Sequence, residues 1–103
     1  MREELYGTRL YINCKKLHSN INHFKNIIQN STIIAMVKAN AYGFGDVLMT
    51  KKMEEFGLNY FGVADFDEGI RLRNNGIKSS IMVMNTSKST IQMLMKYRLE
   101  PVI

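Results

Sequence analysis

The chain has 103 residues, 14 Lys/Arg against 9 Asp/Glu for a formal charge of +5, and is 46% apolar and 22% charged. That length holds one domain of roughly 100–150 residues, and the apolar share excludes a disordered, collagen-like or coiled-coil chain. One cysteine, Cys14, excludes an internal disulfide framework, and His18 and His23, five apart, spell neither a zinc cluster nor a one-face ligand pair.

Arg9-Leu10-Tyr11-Ile12 reads as a short opening strand. Leu17, Ile21, Phe24 and Ile28 then recur at helical spacing, and Asn13 is placed to cap that helix by accepting an orphan N–H. Asn30-Ser31 breaks the pattern, and Ile33 to Val37 is a buried strand. Gly43 and Gly45 mark a loop into a helix from about Asp46, which is expected to cap it. Leu48, Met49, Met53 and Phe56 form that helix's apolar stripe, and Gly57 ends it in the left-handed conformation. Tyr60 to Ala64 is the next strand, and Asp65 or Asp67 opens a helix that carries Ile70 and ends near Gly76. Ile81 to Met84 is a strand, Ser87 or Ser89 caps a helix with Ile91, Leu94 and Met95, and Leu99 to Ile103 begins another strand.

After the first helix the order is therefore β-α-β-α-β-α-β. Continuous apolar strands separated by single helices mean a parallel sheet covered by crossovers. That is α/β architecture, either an open doubly wound sheet or part of a (β/α)8 barrel. A full barrel takes about 250 residues, so residues 1–103 hold at most half of one, about four barrel strands. The opening strand lies at about 9–12 and the barrel units run from about 14 onward. Because the chain stops inside Pro101-Val102-Ile103, the expectation is the N-terminal part of something longer. Half a barrel leaves one sheet face uncovered, with Ile34, Met36, Val63 and Met82 as its candidate residues.

Charge and hydropathy narrow the partners. Up to Lys52 there are eight Lys/Arg and three Asp/Glu, and from Met53 onward six of each. The lysines come at most in pairs, with no basic stripe and no aromatic platform, so nucleic acid is not expected. No run approaches the roughly 20 apolar residues of a membrane span, and no apolar segment follows Arg2-Glu3-Glu4 as in a signal peptide. A soluble cytoplasmic protein without a membrane or metal partner is the expectation.

Strand alternation puts Ile34, Met36 and Lys38 on one face and Ile33, Ala35 and Val37 on the other. Lys38 thus ends a buried strand, where α/β folds place reactive groups. On spacing alone the simpler reading is an ammonium that snorkels to solvent. A free lysine, with a pKa of about 10.4, needs desolvation or a nearby cation to act as a nucleophile at neutral pH. Gly43-Phe44-Gly45 lacks the third glycine of a dinucleotide fingerprint, Leu48 standing in its place. It reads either as an ordinary strand-to-helix turn or as backbone open to an anion, with Tyr42 adding a phenolic donor. The eight methionines read as core filler and Cys14 as an inert thiol. Glu68 and Arg73 could orient the helix they share against the site, but five apart they do not face each other, and surface charge is the first reading.

One stretch is more specific. Val37-Lys38-Ala39-Asn40-Ala41-Tyr42-Gly43 resembles the cofactor-lysine motif of alanine racemases, pyridoxal-phosphate enzymes built on a TIM-type barrel. Leu17 and Asn20, Phe61-Gly62-Val63-Ala64, Asp67-Glu68-Gly69 with Leu72-Arg73, Gly76-Ile77 with Ile81 to Met84, and Leu99-Glu100-Pro101 extend the resemblance over nearly the whole chain. The resemblance implies that Lys38 forms the internal aldimine with pyridoxal 5'-phosphate. It likewise implies that Tyr42 donates to the cofactor phosphate and that Met84 lines the pyridoxal pocket. It implies interconversion of L- and D-alanine for peptidoglycan by a homodimer. In the family the second base is a tyrosine of the partner's C-terminal domain, and an arginine faces the pyridine nitrogen. Both lie beyond residue 103, so the segment alone is expected to be inactive.

The chain departs from the family at Phe44, where a histidine is common, and at Arg9, Tyr11 and Asn13, which stand where Trp, Glu and Asp are usual. Two other readings stay open. One is a different pyridoxal-phosphate barrel enzyme, an amino-acid decarboxylase or another racemase, which shares Lys-Ala-Asn although Ala41-Tyr42-Gly43 favours the alanine family. The other is a non-catalytic remnant.

Overall fold

A computed structural model of the chain describes residues 10–102. Its elements run α1 (Cys14–Ile28), β1 (Ala35–Met36), the short turn α2 (Lys38–Tyr42), α3 (Asp46–Glu55) and β2 (Tyr60–Val63). They continue as α4 (Phe66–Asn74), β3 (Ser80–Val83), a 3-10 turn over Lys88–Thr90 leading into α5 (Ile91–Lys96), and β4 (Glu100–Pro101). Arg9 and Ile103 of the expected end strands lie outside the described residues. Leu10, Tyr11 and Ile12 are irregular rather than a strand. A strand exists only with a ladder partner, and the four-stranded sheet includes no pairing to this segment.

All four strands are parallel and neighbour one another in chain order, β1-β2-β3-β4. A doubly wound sheet reverses its strand order at a switch point; this one does not. The sheet is an arc of a TIM-type barrel, four strands wide.

The register runs Met36, Gly62, Met82, Glu100 in one row and Ala35, Phe61, Ile81 in the adjacent one. Phe61, Val63, Ile81 and Val83 point toward the helices and are fully buried with Val37, Leu72 and Ile77. Val63 therefore belongs to the helix-covered core, not to the open face. Its place there is taken by Gly62, over which Met36 and Met82 lie so closely that an added Cβ would meet the Met36 sulfur and stand 3.3 Å from the Met82 methyl. A continuous apolar run such as Phe61-Gly62-Val63 hides which residues face inward; only register resolves it.

Helix ends follow the sequence signals closely. Asn13 Oδ1 accepts from Lys16 N–H at 3.1 Å, and Asp65 with Glu68 forms a capping box on α4. Gly57, at φ +95°, follows α3 as expected, and Lys25 Nζ donates to its carbonyl at 3.2 Å, a cation at a helix C-terminus. The apolar stripes are less regular. In α1 Ile21 is buried and Phe24 exposed. In α3 the buried residues are Asp46, Thr50 and Met53, while Leu48 is 58% exposed. Gly45, not Asp46, is the N-cap; Asp46 is the first helical residue, its carboxylate accepting from Val47 N–H at 2.8 Å and pairing with Arg71. Among the described residues no helix is long and apolar enough to cross a membrane, and no group of three His, Cys, Asp or Glu side chains could hold a metal ion. Cys14 is half-buried.

Candidate active site

The ladder continues past the strands at their C-terminal ends. Val37 N–H donates to Gly62 O at 2.9 Å, Met84 N–H to Val63 O at 3.0 Å and Val102 N–H to Val83 O at 3.0 Å. Extending the register by two residues from Met36, Gly62, Met82 and Glu100 brings Lys38, Ala64, Met84 and Val102 into one row at the rim. Lys38 is half-buried there, and Met84 is 44% exposed. Barrel enzymes build their sites at this end of the strands.

Between Lys38 and Gly43 the chain does something no spacing rule anticipates. Ala39, Asn40, Ala41 and Tyr42 all have φ between 52° and 57°. The turn is left-handed over four consecutive non-glycine residues. Each costs roughly 1–2 kcal/mol against its right-handed form, so the run persists only because its surroundings over-determine it. Internally, Ala41 N–H donates to Val37 O at 3.0 Å and Gly45 N–H to Asn40 O at 2.9 Å. Ala41 is buried. Gly43 and Gly45 continue at φ +93° and +96°, and a Cβ at either would meet nothing within 4 Å, so the loop backbone is open to an approaching group.

Tyr42 is 60% exposed, and Phe44 beside it is exposed as well. Among the described residues neither the Lys38 ammonium nor the Tyr42 hydroxyl has a hydrogen-bond or ion-pair partner. The fold thus gathers an unpartnered amine, a phenolic donor, open glycine backbone and the apolar Met84 side chain at one sheet end. As a donor set this fits an aromatic aldehyde phosphate such as pyridoxal phosphate: an amine for the aldehyde, a phenol for the phosphate, a thioether for the ring, and loop space left clear by the glycines, whose own N–H groups are spent within the loop.

Four polar residues hold this end together through contacts that their spacing does not announce. Glu68 accepts from Ala39 N–H at 2.8 Å and from Ala64 N–H at 2.7 Å. Asn40 Oδ1 accepts from Asp46 N–H at 2.9 Å, and Arg71 Nε donates to the two Asp46 oxygens at 3.2 and 3.1 Å. The Asp65-x-x-Glu68 spacing announces a helix cap, but nothing in it announces a reach to Ala39. Arg73 is likewise no surface charge. It donates to Tyr97 O, Ile77 O, Ser79 O and Arg98 O at 2.7–3.0 Å, knotting α4 to the segments before β3 and β4. Burial, and then the charge of Arg98, lowers its pKa from the usual guanidinium value.

Residues 12–103 match the family described as alanine racemase, N-terminal domain. The chain is 40% identical over 77 residues to the alanine racemase of Macrococcus caseolyticus, covering 75% of this chain and 20% of that protein. It is 43% identical over 82 residues to the serine/alanine racemase of Enterococcus gallinarum, covering 78% of this chain and 12% of that one. Among solved structures, an alanine racemase of Clostridium difficile 630 superposes with a TM-score of 0.81 at 33% identity, over 89% of this chain and 25% of the other. The chain spans a fifth or less of the length of these two curated relatives.

Proposed function

This chain belongs to the alanine racemase N-terminal domain family, and we propose that the whole protein interconverts L-alanine and D-alanine with pyridoxal 5'-phosphate. The observation that carries the reading is Lys38 at the rim of β1, half-buried and without a partner among the described residues, in register with Met84 and followed by the left-handed turn that ends in Tyr42. In this reading residues 1–103 are the N-terminal part of the barrel domain. Lys38 would hold the cofactor covalently, Tyr42 would donate its hydroxyl to the phosphate, and Met84 would offer the ring an apolar neighbour.

When bound, the cofactor supplies an electron sink for the charge left on the substrate's Cα as its proton departs. Racemisation needs a base on each face of that carbon. Once the substrate's amine has displaced it from the cofactor, the freed Lys38 Nζ would take or return the proton on one face, and the opposing base would come from outside residues 1–103. The 103-residue chain alone therefore does not racemise alanine. A cytoplasmic homodimer that supplies D-alanine to peptidoglycan completes the reading. Serine as a second substrate is favoured by one observation, the 43% identity to a relative named for both amino acids.

The test is borohydride reduction of the whole protein after incubation with pyridoxal phosphate, followed by peptide mapping, alongside D-alanine and D-serine assays. The pyridoxyl group is expected on Lys38, with label and turnover both lost in Lys38→Ala. Label on Lys51 or Lys52, or near-normal turnover in Lys38→Ala, would sink the assignment. Label on Lys38 without turnover of any amino acid would mark a cofactor-binding remnant.

A further inference from the structure

We infer that Glu68 is a positioning residue, whose carboxylate reaches out of the first turn of α4 to clamp the backbone at Ala39 and thereby sets where the Lys38 amine stands. The functional half of this inference rests on the reading of Lys38 as the cofactor lysine. One carboxylate oxygen accepts from Ala39 N–H at 2.8 Å, and the other accepts from Ala64 N–H at 2.7 Å and Asp65 N–H at 3.2 Å. A capping box needs only the last of these. The other two leave the helix and join the residue directly after Lys38 to the end of β2, in register beside it.

A second grip lies one helical turn along α4. Arg71 holds the buried Asp46 carboxylate, and the Asp46 N–H donates to Asn40 Oδ1. So α4 fixes both ends of the segment from Ala39 to Asp46, whose first half is the left-handed turn. Lys38 has no side-chain partner of its own among the described residues. Its position is inherited from the backbone on either side, through Val37 N–H on Gly62 O and Ala39 N–H on Glu68. Releasing the second of these frees the lysine without touching it.

Glu68→Gln tests this in the whole protein, because an amide has one acceptor oxygen where the carboxylate has two, and its NH2 would face an N–H. Asp65→Ala is the control: it removes the other half of the same helix cap and leaves Ala39 alone. Hydrogen exchange at the Ala39 amide should speed at least tenfold in Glu68→Gln and stay unchanged in Asp65→Ala. With pyridoxal phosphate added, Glu68→Gln should weaken cofactor binding about ten- to a hundredfold and shift the visible band of the lysine-bound cofactor, while Asp65→Ala does neither. Unchanged Ala39 exchange in Glu68→Gln, or equal cofactor loss in both variants, overturns the proposal. Should Glu68→Gln fail to fold, Glu68→Asp takes its place. It keeps the charge near Asp65 N–H but is withdrawn from Ala39 by one methylene, roughly 1.5 Å. Absence of label on Lys38 in the unsubstituted protein overturns the reading of the site instead, and Ala39 exchange still decides the clamp.

Discussion

Tyr42 separates a binding role from a packing role cleanly, because its side chain is largely exposed and its hydroxyl has no partner among the described residues. A phenol donating to a phosphate makes a charge-assisted hydrogen bond worth about 1.5–3 kcal/mol. Tyr42→Phe should therefore weaken pyridoxal-phosphate binding by roughly ten- to a hundredfold at 1.4 kcal/mol per decade, with the thermal midpoint of the cofactor-free protein unchanged. A cofactor titration identical to that of the unsubstituted protein would remove Tyr42 from the phosphate site. Lys38, Tyr42 and the glycines were accessible to a reading of the sequence because they are contiguous. Glu68 was not, because its partner lies 29 positions upstream.

A single glycine decides how closely helix α4 seats. Gly69 is buried, and a Cβ there would lie 2.9 Å from both Leu99 methyls. Gly69→Ala gains up to about 1 kcal/mol of helix propensity but overpacks a filled site, at about 1–3 kcal/mol. A lower urea midpoint is expected, and Leu99→Val in the same chain should restore part of it, a coupling that a double-mutant cycle reads. Across the strands, Tyr60 of β2 donates to the Glu100 carboxylate of β4. That hydrogen bond, followed by burial and the Glu100 charge, raises the Tyr60 pKa. The folded chain therefore favours the protonated phenol. Its contribution is fully present below the unfolded value of about 10 and is lost as pH rises through the higher folded value. Urea midpoints measured from pH 8 to 11 should fall more steeply for the unsubstituted protein than for Tyr60→Phe; parallel curves would show that the pair contributes nothing.

At the scale of the molecule, the helices among the described residues cover one face of the sheet, burying Phe61, Val63, Ile81 and Val83, and the principal extents are 45 × 39 × 19 Å. Ile34, Met84 and Val102 are exposed on the other face, beside half-buried Met36 and Met82. Open strand edges and an uncovered apolar face favour association. Sedimentation of the isolated 103-residue chain should show oligomers or aggregates, and a compact monomer would mean that the face is less adhesive than its composition suggests.

The sequence by itself determined the α/β alternation, most helix caps and the lysine-containing motif, since all three depend on residues within a few positions of one another. Which apolar residues face the helices and which face inward was decided by strand register, as Gly62 and Val63 show. The handedness of the Ala39–Tyr42 turn was decided by tertiary structure alone. Alanine and tyrosine carry no local preference for the left-handed region. Beside the loop's own backbone bonds, the turn is held by Glu68 on Ala39 N–H and by Asp46, which Arg71 grips, on Asn40. Glu68 and Arg71 come alongside only when α4 packs against the sheet.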